Sequence, residues 1–117
     1  MEQHKELIQE EKKINKALTK FRKKSGDFAR KFLDAWREAN STRYLSAKER
    51  ELITLAVVLN KLCIPCIFKH VKLALQSGAT PEEIIEAANL ACALGGGIVY
   101  EYTAYVIEAL ELYAGEE

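Results

Sequence analysis

Two cysteines and a histidine stand close together in the stretch CIPCIFKH, where Cys63, Cys66 and His70 are spaced by three and four residues. On a helix, these steps place all three side chains on one face, within an arc of about 60° around the helix axis. A nucleophilic sulfur, a second sulfur within disulfide reach and a base are the parts that thiol chemistry requires. The same residue types also fit a metal site or simple core packing, so the rest of the chain decides among three interpretations.

Pro65 lies between the two cysteines and predicts where their helix begins. Proline is tolerated in the first turn of a helix and disfavoured in its interior, so a helix over about residues 63–77 is expected. Both sulfurs then lie near a helix N-terminus, where unpaired N–H groups favour a thiolate over a thiol. His70, one turn beyond Cys66, is placed to accept or supply a proton.

Glu51 precedes an apolar run, LITLAVVL, that is typical of a buried helix. That helix is expected to end near residues 60–62. If the chain reverses there and the two helices run antiparallel, Glu51 lies opposite residues near Lys72, within reach of His70 directly or through a water. A carboxylate in that place would orient or deprotonate the histidine.

A zinc site and core packing are the alternatives to redox chemistry. Cys63, Cys66, His70 and Glu51 nominally supply four zinc ligands, but structural zinc sites usually draw a second ligand pair from another knuckle, which this sequence lacks. Cysteine is also among the most buried residue types, and Cys92, in the middle of a helix, is expected to be a small core residue. The paired spacing with a histidine and a glutamate favours a redox pair, and no metal is expected.

Helical periodicity runs through almost the whole chain, and no strand pattern competes with it. We therefore expect an all-α fold of about six helices in a single domain over residues 1–117. Its core is expected over residues 45–113, with residues 1–40 as an N-terminal helical extension. A chain of 117 residues with 49% hydrophobic residues is long enough to close one core.

Start and stop signals place the helices of the core. They are two capping boxes, a first-turn proline and two glycine stops: Ser46 with Glu49, Thr80 with Glu83, Pro81, Gly78 and residues 95–97. Two further helices are expected earlier, over about residues 3–24 and 27–39. The first has a narrow apolar stripe at Leu7, Ile14, Leu18 and Phe21. This stripe is expected to pack on a partner subunit, and the alternative is that the helix lies loosely across its own domain. The second has a wider apolar side and is expected to be better anchored, by Phe28, Phe32, Leu33 and Trp36.

The formal net charge is zero, but it divides into +6 over residues 1–50 and −6 over residues 51–117. Lysine and arginine in the first half are interleaved with glutamate at helical spacing and lack the motifs of nucleic-acid sites. A solvated helix face is therefore expected there, with His4 in solvent and no nucleic-acid partner.

No apolar run approaches the length of a membrane span, and the N-terminal residues are too charged for a secretory signal. We therefore expect no membrane partner and a cytoplasmic location. In that reducing compartment, three cysteines favour a catalytic or metal-binding pair over a framework of structural disulfides.

The spacing of the four site residues resembles a known signature. Glu51, eleven intervening residues, the Cys63-x-x-Cys66 pair, three more residues and His70 look like alkylhydroperoxidase D and its relatives in the carboxymuconolactone decarboxylase superfamily. The flanking stretches LSAKERELITLAV and GATPEEIIEAANLACALGGG are similar to that family as well. The resemblance covers about Leu45 to Leu110.

The resemblance implies an all-helical homo-oligomer, a trimer or hexamer, and a thiol-dependent hydroperoxidase. By position, Cys66 would be the peroxidatic cysteine that attacks the hydroperoxide, and Cys63 the resolving cysteine that forms the disulfide. Glu51 and His70 would form the proton relay. No bound cofactor is implied, and the reductant would be a dithiol donor protein, lipoyl or thioredoxin-like. The residues alone leave the order of the sulfurs open, because a helix N-terminus can equally favour Cys63 as the thiolate.

One position departs from the family pattern. In the best-known members a histidine directly precedes the peroxidatic cysteine, and here that residue is Pro65. A proton carrier is therefore absent, and we expect dithiol–disulfide exchange to be retained better than peroxide turnover. The decarboxylase branch does not rely on a C-x-x-C pair, so the two cysteines favour the redox branch. A carboxymuconolactone decarboxylase-type lyase and a non-catalytic assembly or ligand-binding module are the alternatives.

Overall fold

The computed structural model describes residues 2–115, with side chains from residue 5 onwards, and it contains six α-helices. Their bounds are α1 Glu2–Ser25, α2 Asp27–Asn40, α3 Ala47–Asn60, α4 Ile64–Gln76, α5 Pro81–Gly95 and α6 Gly97–Ala114. No strand occurs within the described residues, and the predicted all-α fold of about six helices is confirmed. The side chain of His4, expected in solvent, lies outside the described part.

Two compact units divide the chain, residues 1–41 with α1 and α2, and residues 42–117 with the other four helices. In the first unit, the rings of Phe28 and Phe32 stack with centroids 6.2 Å apart. Both rings nevertheless stay largely in solvent, at 69% and 58% exposed, and Ala29 is the buried residue of α2. The prediction that α2 is well anchored by its apolar side is therefore wrong for the single chain, because α1 offers it only a narrow stripe.

The hydrophobic core of the second unit lies between α3, α4, α5 and α6. Helix α3 packs on α4 and α5, and α6 packs on the same two helices. Each helix contributes to the largest fully buried side chains, which are Leu55, Leu59, Ile67, Val71, Ile84, Val99, Val106 and Leu110. Burying one such side chain stabilises a fold by about 1.5–3 kcal/mol, so this core holds the helices of the candidate site in place.

Two capping boxes begin α3 and α5, as the sequence predicts. The N–H of Glu49 donates to Ser46 Oγ at 3.0 Å, and the N–H of Ser46 donates to Glu49 Oε1 at 2.8 Å. In α5 the reciprocal pair is Thr80 and Glu83, at 3.1 and 2.9 Å. Lys48 Nζ lies 3.0 Å from Glu83 Oε2, so the cap of α5 is also tied to the first turn of α3.

A tight turn joins α3 to α4 and gives Cys63 two structural roles. The N–H of Cys63 donates to Val58 O at 3.3 Å and the N–H of Leu62 donates to Leu59 O at 3.1 Å, the hydrogen-bond pattern of a Schellman motif. Leu62 takes the left-handed position with φ 56°, where glycine is usual. Cys63 thus closes α3 through its backbone, and it is also the N-cap of α4.

The glycine triplet between α5 and α6 serves two separate purposes. Gly96 makes the turn itself, because its φ of 87° is a conformation that side chains disfavour. Gly95 ends α5 where α3 passes very closely, and a Cβ there would collide with Asn60 Oδ1 and Val99 Cγ2. Asn60 Nδ2 donates to Ala91 O at 3.3 Å across the same contact. Gly95 is therefore a close-packing residue.

Replacing Gly95 tests this close approach. We expect Gly95→Ala to lower the free energy of unfolding by about 1–3 kcal/mol, because the new methyl overpacks the α3–α5 contact. Gly97→Ala is the matched control, since a Cβ at Gly97 meets nothing within 4 Å. Denaturant unfolding followed by circular dichroism measures both variants, and equal unfolding midpoints would contradict the assignment.

The capping glutamates predict an acid-sensitive component of stability. The backbone N–H of Ser46 holds the pKa of Glu49 below its ordinary value, and the backbone N–H of Thr80, then Lys48, do the same for Glu83. A carboxyl with a lowered folded pKa stabilises the fold above its unfolded pKa, and that stabilisation disappears as pH falls through the folded pKa.

As the pH falls from about 6 to about 3, we expect the unfolding temperature of the double variant Glu49→Gln/Glu83→Gln to decrease less than that of the wild type. Glutamine keeps the cap hydrogen bond but does not titrate in this range. Glu86→Gln/Glu101→Gln, at two exposed positions, is the control. Parallel curves for the capping variant and the wild type would contradict the prediction.

Candidate active site

A buried glutamate and a buried histidine meet between α3 and α4. His70 Nδ1 lies 2.8 Å from Glu51 Oε1, and the two residues are only 7% and 3% exposed. Glu51 precedes the α3–α4 turn and His70 follows it, so the two helices run antiparallel, as the spacing predicts. An ionised Glu51 accepts the Nδ1–H of the ring and leaves Nε2 as the nitrogen that can exchange a proton.

Arg50 joins this pair and was not among the residues selected from the sequence. Its Nε lies 3.2 Å from Glu51 Oε2, and its side chain is 27% exposed. Side chains of adjacent helical residues diverge by about 100°, so sequence spacing gives no reason to expect the contact. The structure therefore places one nitrogen partner on each oxygen of Glu51.

Cys63 and Cys66 are joined by a disulfide, with their Cα atoms 5.2 Å apart. Both residues are half-buried, and Pro65 between them is exposed in the first turn of α4. The N–H of Cys66 donates to Cys63 Sγ at 3.3 Å, so the first sulfur occupies the capping position of the helix. The same N–H would favour a thiolate at Cys63 once the disulfide is reduced.

The face of α4 connects the two pairs. Cys66 and His70 are four residues apart in this helix, and residues at that spacing lie next to each other on the same face. A reducible sulfur pair thus lies one turn from a histidine whose other ring nitrogen contacts a carboxylate. Such an arrangement can exchange thiols for a disulfide and move a proton during the exchange.

Other chemistry-bearing residues of the described part lie elsewhere. Within residues 2–115, no group of three or more histidine, cysteine, aspartate or glutamate side chains is arranged to hold a metal ion.

Cys92 was expected in the core and is only half-buried. It lines a groove of about 200 Å³ between α5 and α6, together with Asn89 and Tyr100. Over the same residues, no helix has the length and apolar character needed to cross a membrane.

The sequence model of the carboxymuconolactone decarboxylase family matches residues 26–109, which is most of the chain. The chain belongs to this family. The match includes all four helices from α2 to α5, most of α6 and the whole Glu51–His70 region. The matched region begins just before α2, whereas the motif resemblance described above covers only residues from Leu45 onwards.

Two solved structures agree with the family assignment. A carboxymuconolactone decarboxylase family protein from Legionella pneumophila superposes with a TM-score of 0.82 at 33% identity, covering 88% of this chain and 92% of that protein. A family protein from Thermotoga maritima, for which a role in an antioxidative response has been suggested, gives 0.79 at 25% identity, with 87% of each chain covered. No curated protein matches the chain.

Removing the histidine of the buried pair tests how far Glu51 depends on it. We expect His70→Ala to lower the free energy of unfolding by about 3 kcal/mol, because a buried carboxylate loses a hydrogen-bonding partner. Gln76→Ala, at an exposed position near the end of α4, should stay within about 0.5 kcal/mol of the wild type. Urea unfolding measures both variants, and equal midpoints would show that the fold does not depend on the Glu51–His70 contact.

Proposed function

We propose that this family member is a thiol-dependent hydroperoxidase or thiol–disulfide oxidoreductase that works with the Cys63–Cys66 pair. The observation that carries the proposal is the position of this pair, at the N-terminus of α4 and one turn from the buried Glu51–His70 contact. The suggested antioxidative role of the Thermotoga maritima relative supports the same chemistry.

The first half of the reaction oxidises one cysteine. The family resemblance assigns this role to Cys66. His70, held by Glu51 at Nδ1, takes the thiol proton at Nε2, and the Cys66 thiolate attacks a hydroperoxide oxygen. The O–O bond breaks, Cys66 becomes a sulfenic acid, and the alkoxide leaves as an alcohol with the proton from His70.

The second half forms and reduces the disulfide. Cys63 attacks the sulfenic sulfur of Cys66, an S–S bond forms, and the hydroxyl leaves as water. An external dithiol then reduces the pair to two thiols and is itself oxidised to a disulfide. A lipoyl or thioredoxin-like protein is the class of donor that we propose. Pro65 carries no proton, so we expect dithiol–disulfide exchange to be retained better than peroxide turnover.

A lyase of the carboxymuconolactone decarboxylase type is the second candidate. Its support is the family match, together with the Glu51–His70 pair, which can perform acid–base catalysis without the sulfurs. The two candidates differ in their need for Cys66. A lyase keeps its activity on a lactone substrate in Cys66→Ser, whereas the oxidoreductase loses its activity entirely.

Treatment of the reduced protein with one equivalent of hydroperoxide tests the redox proposal. We expect the wild type to lose two free thiols and two hydrogen atoms, because Cys63 and Cys66 condense to a disulfide. Cys63→Ser should instead stop at a sulfenic acid that dimedone traps on Cys66. Cys92→Ser is the matched control and should behave as the wild type. Thiol titration and intact mass measure the outcome, and three free thiols with an unchanged mass after prolonged exposure would refute the proposal.

We infer that the protein assembles as a homo-oligomer, a trimer or hexamer, as the family resemblance implies. The support is the amount of apolar surface in the single chain, since large side chains are widely exposed on both units. The most exposed of them are Phe21, Phe28, Tyr44, Leu90, Leu94 and Tyr100.

Sedimentation velocity tests the assembly. We expect a particle of three or six chain masses, and a smaller one for Leu94→Lys, because Leu94 is 91% exposed in the single chain and a charge there would oppose burial. Gln76→Lys is the control. A monodisperse monomer of the wild type would contradict the inference.

A further inference from the structure

Arg50 is the residue of the candidate site for which neither the spacing nor the family resemblance provides a role. It precedes Glu51 in α3, and its Nε lies 3.2 Å from Glu51 Oε2. The other oxygen of Glu51 lies 2.8 Å from His70 Nδ1. The three side chains therefore form a chain of contacts from a partly exposed guanidinium, through a buried carboxylate, to a buried imidazole.

The electrostatics of these three side chains depend on which group compensates the negative charge of Glu51. The side chain of Glu51 is only 5% exposed, and a carboxylate that has lost its water shell requires an opposite charge or several hydrogen-bond donors nearby. His70 provides that charge only while its ring is protonated on both nitrogens, and in that state it cannot accept a further proton. Arginine, unlike histidine, carries its positive charge without taking up or releasing a proton near neutral pH.

The other cation of α3 has a different partner. Lys48, two residues earlier in the helix, has its Nζ 3.0 Å from Glu83 Oε2 and is engaged with the cap of α5. The arginine side chain suits the task because its guanidinium has several N–H donors, of which Nε serves Glu51, while the side chain as a whole is only 27% exposed.

We propose that Arg50 is a positioning residue that keeps Glu51 ionised and thereby allows His70 to be neutral, with its proton on Nδ1 and Nε2 free to accept the thiol proton. The inference about the charge of His70 rests on the contacts of Glu51 with Arg50 and His70. The consequence for thiol oxidation rests on the proposed function.

The spectroscopic experiment reads the ring of His70 directly. The protein carries ¹⁵N-labelled histidine and the substitution His4→Gln, so that one imidazole remains, and it is kept oxidised so that Cys63 and Cys66 have no thiol proton. Near neutral pH, we expect the parent to show one protonated and one bare ring nitrogen. Arg50→Gln should show both nitrogens protonated, because the imidazolium becomes the only cation on Glu51. Arg43→Gln removes an exposed arginine from the loop before α3 and should match the parent.

The kinetic experiment uses the reduced protein and a hydroperoxide. Arg50→Gln should be oxidised about 10-fold more slowly than the parent, since a doubly protonated ring is no base. Arg50→Lys, which keeps the charge, should recover part of the rate. If Arg50 acts through Glu51, adding Arg50→Gln to Glu51→Gln should change neither the rate nor the spectrum further.

The outcomes separate the two proposals. A neutral His70 in Arg50→Gln would overturn the role of Arg50, whatever the peroxide does. The expected change in the spectrum, together with no oxidation of the parent by hydroperoxide, would leave Arg50 in its role and refute the hydroperoxidase. If Arg50→Gln fails to fold, the double variant with Glu51→Gln decides: it folds if Arg50 serves the buried carboxylate, and its failure to fold would overturn the inference.

Discussion

The burial of one carboxylate, that of Glu51, is the constraint on which the rest of the site depends. Removing a carboxylate from water is unfavourable unless its oxygens find hydrogen-bond partners. Here Oε1 lies 2.8 Å from His70 Nδ1, and Oε2 lies 3.2 Å from Arg50 Nε. His70 belongs to α4 and Glu51 to α3, so their contact favours the one rotation of α4 about its axis that turns His70 towards α3. Leu55, one turn along α3 from Glu51, and Val71, next to His70 in α4, are fully buried, so the pair lies beside the apolar core.

The second constraint is the shortness of the α3–α4 turn, in which one residue, Cys63, has several roles. Cys63 closes α3 by donating to Val58 O, caps α4 with its sulfur, and carries the sulfur bonded to Cys66. A sulfur that caps a helix lies among N–H groups that stabilise negative charge, so the structural role and the chemical role support each other. The strained backbone of Leu62 is tolerated because the two helices it joins are held by packing on both sides.

Much of the fold follows from local signals in the sequence. The capping boxes at Ser46 and Thr80 and the first-turn proline Pro65 act within a few residues, so they place helix ends accurately without knowledge of the tertiary structure. The contact between Glu51 and His70 also follows, because a short turn between two helices leaves little freedom in their pairing.

The features that the sequence could not predict depend on contacts between elements or on an unusual side-chain path. Arg50 contacts Glu51, its neighbour in the sequence, and helical periodicity does not predict a contact between adjacent residues. The triplet at Gly95 predicted a turn, but the close approach of Asn60 belongs to the packing of α3 against α5. The exposure of Phe28 was missed because an apolar helix face indicates burial without indicating which surface covers it.

The three-residue turn between α3 and α4 has a consequence for how this site can vary among sequences. Unless the turn itself rearranges to take it up, a residue added or removed there shifts the register of α4 by one position, which turns its residues by about 100° around the helix axis. His70 would then face away from Glu51, and a buried charge would be left without its partner. The number of residues between Glu51 and His70 is therefore as much a part of the site as their identities. Substitutions in the turn can be absorbed by the fold, whereas insertions and deletions there would separate the disulfide from its base.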